Sequence, residues 1–496
     1  MMLRFTSHDA EGPTDSGSLH HAILIDKDEM VVAGKIRTRE GIIECLRRGS
    51  GATAMSLMYD AGEPGELSLR TCLLPPRDAP YVLSVELARH RIAMFVHKAE
   101  EWMMVDLDDT HPAMRLWEEA RRLFTTAMVT SDRAKADQAG HASLALAIRA
   151  SERLAIAHAE ILLKRRFRAK PAPSTSIGVR IDPSRSGEAL RELAKRHFRL
   201  LAIPLRWDRL CPEEGAYRWE QTDDWIAWAE DNGCRVLGGP LIDLGRHGLP
   251  GWVASRAVSY EHLRDLAYEH VEQVVARYGD HLGMWSIGTG FNTNTTMSLK
   301  PKEMIDLART LALRVREGHR GRRVIIEVEQ PWSEFIFKHP DALPPAAFLE
   351  QLTQAGIRLD GVGLRLQFGD GEDGRSMRDL MEISRLLDRY ILLDLRVLVT
   401  DLGVPSLDVA EGGGRWRDAW TETLQSQWTN RAIPMLLSKP HVESVIWTDL
   451  FDHEDTRPRS AGLISERGSA KEVLKQLVGW RRKLSKPLGP LPPQAS

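Results

Sequence analysis

The stretch "MWSIGTGFN", residues 284–292, reads as a buried strand that runs out into Gly288, Thr289 and Gly290, with no proton-donating side chain at its exit. Carboxylates do stand at other strand ends: Glu327 and Glu329 in "IIEVEQPWSE", Asp243 in "PLID" and Asp449 in "IWTDL". Alternate residues of a strand point to opposite sides, so Glu327 and Glu329 share a side, with Glu329 nearer the C-terminal end. A glutamate there, followed by Gln330 and Trp332, can donate a proton to a sugar ring stacked on the indole. It can equally be held in an ion pair by Arg365 of the next strand, and the residues alone leave both open. Trp207, Trp252, Trp332 and Trp447 all fall at or just beyond strand ends. Singly each reads more readily as core, but four together favour a sugar groove.

Such chemistry needs a frame that gathers strand ends. After residue 176 an apolar run, a loop and an amphipathic helix alternate repeatedly. The strand candidates are "SIGVRID", "LLAIPLRW", "RVLGGPLID", "LGMWSIGT", "RVIIEVEQ", "LDGVGLRLQ", "LRVLVTDL" and "VESVIWTDL". Continuous apolar strands separated by helices imply a parallel sheet covered on both faces. Eight such units in roughly 300 residues predict an α/β fold of the (β/α)8 TIM-barrel type, with its site at the C-terminal strand ends. Upstream, from about residue 21 to 108, short β-favouring runs with turn signals predict a small antiparallel sandwich-like domain. "YVLSVELA", "RIAMFVHK" and "WMMVDLD" are read as its last strands. Ala-, Leu-, Arg- and Glu-rich segments then predict two helices, with Ser131 and Asp132 as candidate caps. The expected division is a β-rich domain over 1–110, a helical connector over 111–170, the barrel over 171–486 and a Pro-rich tail over 487–496.

The bulk numbers exclude several classes. A chain of 496 residues, 43% hydrophobic and 27% charged, can build a large core. A net charge of -2 gives no electrostatic footprint for nucleic acid. The one basic run, "KRRFRAK" at 164–170, reads as a solvated helix end. Cys45, Cys72, Cys211 and Cys234 are scattered without metal-ligand spacing, so neither metal nor cofactor is expected. No stretch reaches the roughly 18 apolar residues of a membrane span, and the start lacks an apolar signal core, so no membrane partner and a cytoplasmic location are expected. His247 in "GRHG" reads as solvated. "FGDGEDG", residues 368–374, lacks calcium-loop spacing and reads as a mobile loop.

The segment "RWDRLCPEEGAYRWEQTDDWIAWAEDNGC", residues 206–234, resembles glycoside hydrolase family 10, the β-1,4-xylanases. So do "GCRVLGGPLIDLGRHGLPGW", "RYGDHLGMWSIGTGFN", "LDGVGLRLQF" and "VLVTDLGVP", and the likeness runs from about residue 176 to 480. It implies a barrel and a two-carboxylate site in which one carboxyl protonates the leaving oxygen and the other attacks the anomeric carbon. Carried over residue by residue, the acid/base position falls on Gly290 and its neighbour on Thr289. The nucleophile position falls on Asp401, the strand-three His on Gly239, and the strand-six Gln and His on Arg365 and Gln367. The same alignment brings Arg206, Trp207 and Asp208 to the substrate side, beside Asp243, Trp252, Trp332 and Trp447.

Two readings result. The first is a hydrolase of O-glycosidic bonds in a β-glycan or xylo-oligosaccharide, with Asp401 as nucleophile or base and Glu329 as acid. The alternative is a pseudo-glycosidase that binds the glycan without cleaving it. The expected partner in either case is an oligo- or polysaccharide. Glu329 facing Asp401 across an open cleft would favour catalysis, and Glu329 locked to Arg365 would favour binding.

Overall fold

The structure, a computed structural model, describes residues 2–7, 19, 21–47, 49, 51–245, 248–255, 259–318, 321–339, 342–408 and 413–489. His247 and most of the Pro-rich tail lie outside the described residues. The chain forms two compact units. One comprises residues 1–162, 368–385 and 407–424, and the other 163–367, 386–406 and 425–496.

The first unit contains β1 Met2–Thr6, β2 Ile23–Ile25, β3 Val31–Val32, β4 Gly34–Arg39, β5 Ile42–Arg47, β6 Ala54–Asp60, β7 Glu66–Arg70 and β8 Tyr81–Val82. They form two four-stranded sheets in the orders β4-β5-β1-β8 and β3-β2-β6-β7. The runs read as final strands behave differently: residues 83–101 form one helix, α1 (Leu83–Glu101). Leu83, Leu87, Ala88, Met94 and Phe95 recur at helical spacing and are buried, and no Gly or Pro interrupts the 19 residues. Their β-favouring side chains satisfied a local pattern that the helical period overrides. "WMMVDLD" is irregular after its first residues; Trp102 stacks on His158 with ring centroids 4.4 Å apart.

Two further helices follow, α2 Pro112–Val129 and α3 Arg133–Arg166. Asp132 caps α3, accepting from the amides of Ala134 and Lys135 at 3.0 and 3.3 Å. Arg166, in the basic run expected to be solvated, instead donates Nη1 to the carbonyls of Leu437, Lys439 and Val442 at 2.7–2.8 Å. It satisfies carbonyls left open where helix Glu422–Ser438 ends.

The segments 368–385 and 407–424, inserted after two barrel strands, pack within the first unit. The amide of Ser68 donates to Met377 O, and that of Arg415 to Glu66 O, both at 2.8 Å. The stretch expected to be a mobile loop is a pinned turn: Asp370 is buried and accepts from the Glu372 amide and from Arg375 Nη1. Arg91 of α1 meets Asp379 in a two-pronged pair of 3.0 and 2.7 Å, with side-chain exposures of 3% and 0%. Asp379 also accepts the amide of Met381, capping the helix Leu380–Tyr390.

The second unit carries β9 Ile177–Arg180, β10 Leu200–Ile203, β11 Arg235–Gly238, β12 Ile242–Asp243, β13 Met284–Ser286, β14 Gly288–Thr289, β15 Arg323–Val328, β16 Gly361–Gln367, β17 Val397–Gly403 and β18 Val442–Trp447. Eight close into a parallel barrel, β9-β10-β11-β13-β15-β16-β17-β18, which is the predicted α/β architecture. The two remaining strands, β12 and β14, pair with each other past the ends of β11 and β13. Leu200, Ala202, Leu237, Met284, Ile325, Leu398 and Ile446 fill the barrel interior.

Replacing Asp379 with Asn strands the buried Arg91 cation, a change of the kind that costs about 3–5 kcal/mol. We expect the urea unfolding midpoint of D379N to fall accordingly, while an Arg91→Met, Asp379→Leu double variant recovers most of the loss.

Candidate active site

The barrel mouth is built by strand ends that carry charge where the same strands are otherwise apolar. β15 supplies Glu327, 1% exposed, and leads into Glu329; β16 supplies Arg365; β17 supplies Asp401; β9 supplies Arg180. Two local features set their positions. Leu364 pairs with Val399 but Arg365 pairs with Asp401, so β17 bulges at Thr400 and Arg365 lies directly beside Asp401. At Gly363 a Cβ would press against Glu327 Cγ at 2.7 Å and Thr400 Cγ2 at 2.9 Å, so its absence makes room for the buried glutamate.

The Arg365 guanidinium bridges two carboxylates. Nη1 donates to Glu329 Oε1 at 2.5 Å, while Nε and Nη2 donate to Asp401 Oδ2 at 3.2 and 3.0 Å. Arg180 Nη2 lies 3.5 Å from the same Asp401 oxygen and donates to Thr400 O at 3.1 Å. Glu327 Oε2 accepts from Thr400 Oγ1 at 3.2 Å. Asn292 clamps the backbone of Glu329, donating to its carbonyl at 2.8 Å and accepting from its amide at 3.2 Å. Thr289 Oγ1 donates to Glu329 Oε1 at 3.2 Å.

These contacts move proton affinities apart. Burial opposes the Asp401 charge, but Arg180 and then Arg365 outweigh it and hold the carboxyl below its usual range. Asp243 is pushed up to about 7, first by burial and then by the charge of Glu329. Asp449 is raised to about 6 by burial, against the opposing pull of His453, whose Nε2 lies 3.0 Å away. Arg365 is held firmly protonated: its burial works against the charge, and the surrounding carboxylates Glu329, Asp401, Glu327 and Asp243 more than offset it.

The position that the resemblance gives to an acid, Gly290, has φ +72°, and a Cβ there would collide with the backbone of Leu244 and Gly245. Gly239 has φ +119°, and a Cβ there would meet Ser286 O. Any side chain at either site requires the backbone to move.

Of the residues singled out from sequence, Asp401, Glu329, Arg365, Thr289 and Asp243 converge at the mouth. Gln367 is buried and donates to Thr448 Oγ1 and Arg457 O, which orders the floor beside Asp401. Arg206 and Asp208 pair with each other at 2.9 and 2.7 Å, and Asp243 adds to the field on Arg206. Two tryptophans depart from the rim reading. Trp207 is 1% exposed and stacks on His270 with centroids 5.0 Å apart, and Trp447 is 1% exposed with Nε1 donating to Ala461 O. Both are core, each indole enclosed and held by its neighbours instead of facing solvent at the rim. Trp252 and Trp332 are half-buried. The sequence reading passed over Arg180 and the Asp449–His453 pair. Signals were present: a cation ending the apolar run "SIGVR", and a His four residues after a strand-end Asp.

Asp243 binds its proton more tightly folded than unfolded. Its burial therefore costs nothing below the unfolded value, about 4, and an increasing amount as pH rises toward about 7. We expect Asp243→Asn to leave thermal stability unchanged at about pH 4 and to raise it at pH 8. An equal effect at both pH values would contradict the assignment.

Comparison with known proteins agrees with this barrel. Residues 168–297 match the family model of glycosyl hydrolase family 10. Endo-1,4-beta-xylanase B of Thermotoga neapolitana is 24% identical over 230 residues, covering 43% of this chain and 61% of that protein. Endo-1,4-beta-xylanase B of Humicola insolens is 24% identical over 161 residues, covering 32% and 42%. The chain thus spans less than two thirds of the length of these relatives. Among solved structures, xylanase 10B from Thermotoga petrophila RKU-1 in complex with xylobiose aligns at TM-score 0.49 and 17% identity, over 63% of this chain and 95% of that one. Native xylanase 10B from Thermotoga maritima aligns at 0.48 and 18%, over 65% and 97%. The chain forms a closed eight-stranded barrel, and over residues 168–297 it is similar to glycosyl hydrolase family 10.

Proposed function

We propose that the barrel mouth recognises a xylo-oligosaccharide or related β-glycan and holds it without cleaving it by the two-carboxylate route. The observation that carries this reading is the Arg365 guanidinium set between Glu329 and Asp401. A retaining site needs one carboxyl protonated and the other bare, about 5 Å apart, with the sugar's anomeric carbon between them. Here a permanent cation occupies that role between the two carboxylates. Its Nη1 donates to Glu329 Oε1, so the side of that carboxyl facing Asp401 is taken up by the guanidinium. Asp401 Oδ2 is covered by guanidinium hydrogens, and Asp401 Oδ1 is closed to solvent. Loss of general acid assistance alone removes about 10²–10⁴-fold in rate. The outer faces of Glu329 and Arg365, each about one-fifth exposed, remain to receive sugar hydroxyls.

A second reading rests on one observation, the split between Asp401, held ionised, and Asp243, protonated up to about pH 7. Two carboxyls displaced in opposite directions are the signature of a base and an acid. On this reading the chain is a glycoside hydrolase with a relocated proton donor.

One pair of measurements separates them. Titration calorimetry of the full chain with xylotriose and xylohexaose is expected to give saturable binding. Long incubation with the same sugars is expected to release no new reducing ends, from the unaltered chain or from Asp401→Asn. Release that vanishes in Asp401→Asn, and that falls off above about pH 7 only when Asp243 is present, establishes the hydrolase instead. Absence of both binding and release for xylo-, gluco-, manno- and galacto-oligosaccharides overturns both readings.

A further inference from the structure

A second concave site lies at the opposite end of the barrel, against the start of β9. Its volume is about 420 Å³, within the range of small-molecule pockets. The wall is formed by the segment 171–176, the end of helix Glu188–His197 and the last turns of helix Glu472–Leu484. Arg196, His197, Arg481 and Arg482 line it, and no acidic residue does. Among the described residues none of these three arginines pairs with a carboxylate.

Helix C-termini attract cations, which accounts for part of this charge. Arg481 Nη1 donates to His197 O, the exposed end of the neighbouring helix. The surplus remains: Arg481 Nε is buried without a partner, and Arg199 stands close enough to add to the positive field on it. The His197 imidazole is held below its ordinary value by burial and by Arg196 and Arg481, as a net positive potential requires. An independent observation comes from Ser176, which lines the same pocket. It is 3% exposed and its Oγ has no partner. Its backbone is fixed on both sides, the amide donating to Pro173 O and the carbonyl accepting from Val445 N. A buried hydroxyl left open beside guanidinium groups that no carboxylate neutralises is a donor set waiting for an acceptor.

We propose that this pocket binds a phosphate group, as inorganic phosphate or as a phosphomonoester of a small molecule, held by Arg196, Arg481 and Arg482 with Ser176 Oγ as the neutral donor. Guanidinium groups arriving from two helices suit the several acceptors of a tetrahedral oxyanion better than the two of a carboxylate. The volume leaves space for an organic substituent beside the phosphate.

The test is titration calorimetry of the full chain with inorganic phosphate, glucose 6-phosphate and acetate at matched ionic strength. Saturable binding of either phosphate, with acetate much weaker, is expected. Arg196→Gln and Arg482→Gln, at exposed positions that leave the fold intact by circular dichroism, should each weaken it about tenfold. Ser176→Ala should weaken it about threefold, and Lys302→Gln, exposed on another helix, should not change it. Tighter binding of glucose 6-phosphate than of phosphate identifies a phosphomonoester as the ligand; equal binding identifies the free anion. Failure of both to saturate, or affinity unchanged in the Arg196→Gln, Arg482→Gln double variant, overturns the proposal.

Discussion

The balance of charge inside the barrel mouth is the constraint to which the neighbouring structure conforms. Glu327, Glu329 and Asp401 all act on the Arg365 charge, and two of them are almost fully buried. Isolated, such carboxylates would shed their charge or unfold the site. Arg365 and Arg180 supply the opposing charge, and several local irregularities exist to let them. The bulge at Thr400 brings Arg365 alongside Asp401. The missing side chain at Gly363 leaves space for Glu327. Asn292 fixes the Glu329 backbone where Arg365 Nη1 can reach the carboxylate.

The same balance separates fold from chemistry. A barrel of this type supports many activities because the strand ends can be rewritten while the core is kept. In this chain Gly290 and Gly239 have let the backbone close in on the places where larger side chains would stand. The carboxylates that remain are neutralised by guanidinium groups or, as with Asp243, kept protonated by burial. On the binding reading proposed above, a polar floor of this kind presents donors and acceptors to a sugar without offering a free nucleophile.

The first unit solves a related problem in another way. Inserted segments following β16 and β17 supply Asp379 and Trp416 to its interior. Asp379 neutralises Arg91, and Trp416 Nε1 donates to Glu152 Oε1 at 2.8 Å. Burial and then the Asp379 charge raise the Glu152 carboxyl. Segments far apart in sequence thus complete one polar interior.

The sequence by itself determined the barrel. Eight apolar runs separated by amphipathic helices admit few arrangements, since each strand must be covered on both faces, and all eight appear in chain order. It also placed Glu329, Arg365 and Asp401 at neighbouring strand ends, because strand alternation and barrel order are short-range facts. It misread residues 83–101, where β-favouring side chains at helical spacing satisfied two local patterns and only packing against the buried core chose between them. Tertiary structure alone decided which tryptophans were core, because burial depends on what neighbouring elements cover. It alone paired Arg365 with both Glu329 and Asp401, since a guanidinium's partners are set by a one-residue bulge in the adjacent strand. And it alone gathered Ser176, Arg196 and Arg482, three residues from separate stretches of chain, around one pocket, because a closed barrel brings its first and last segments together.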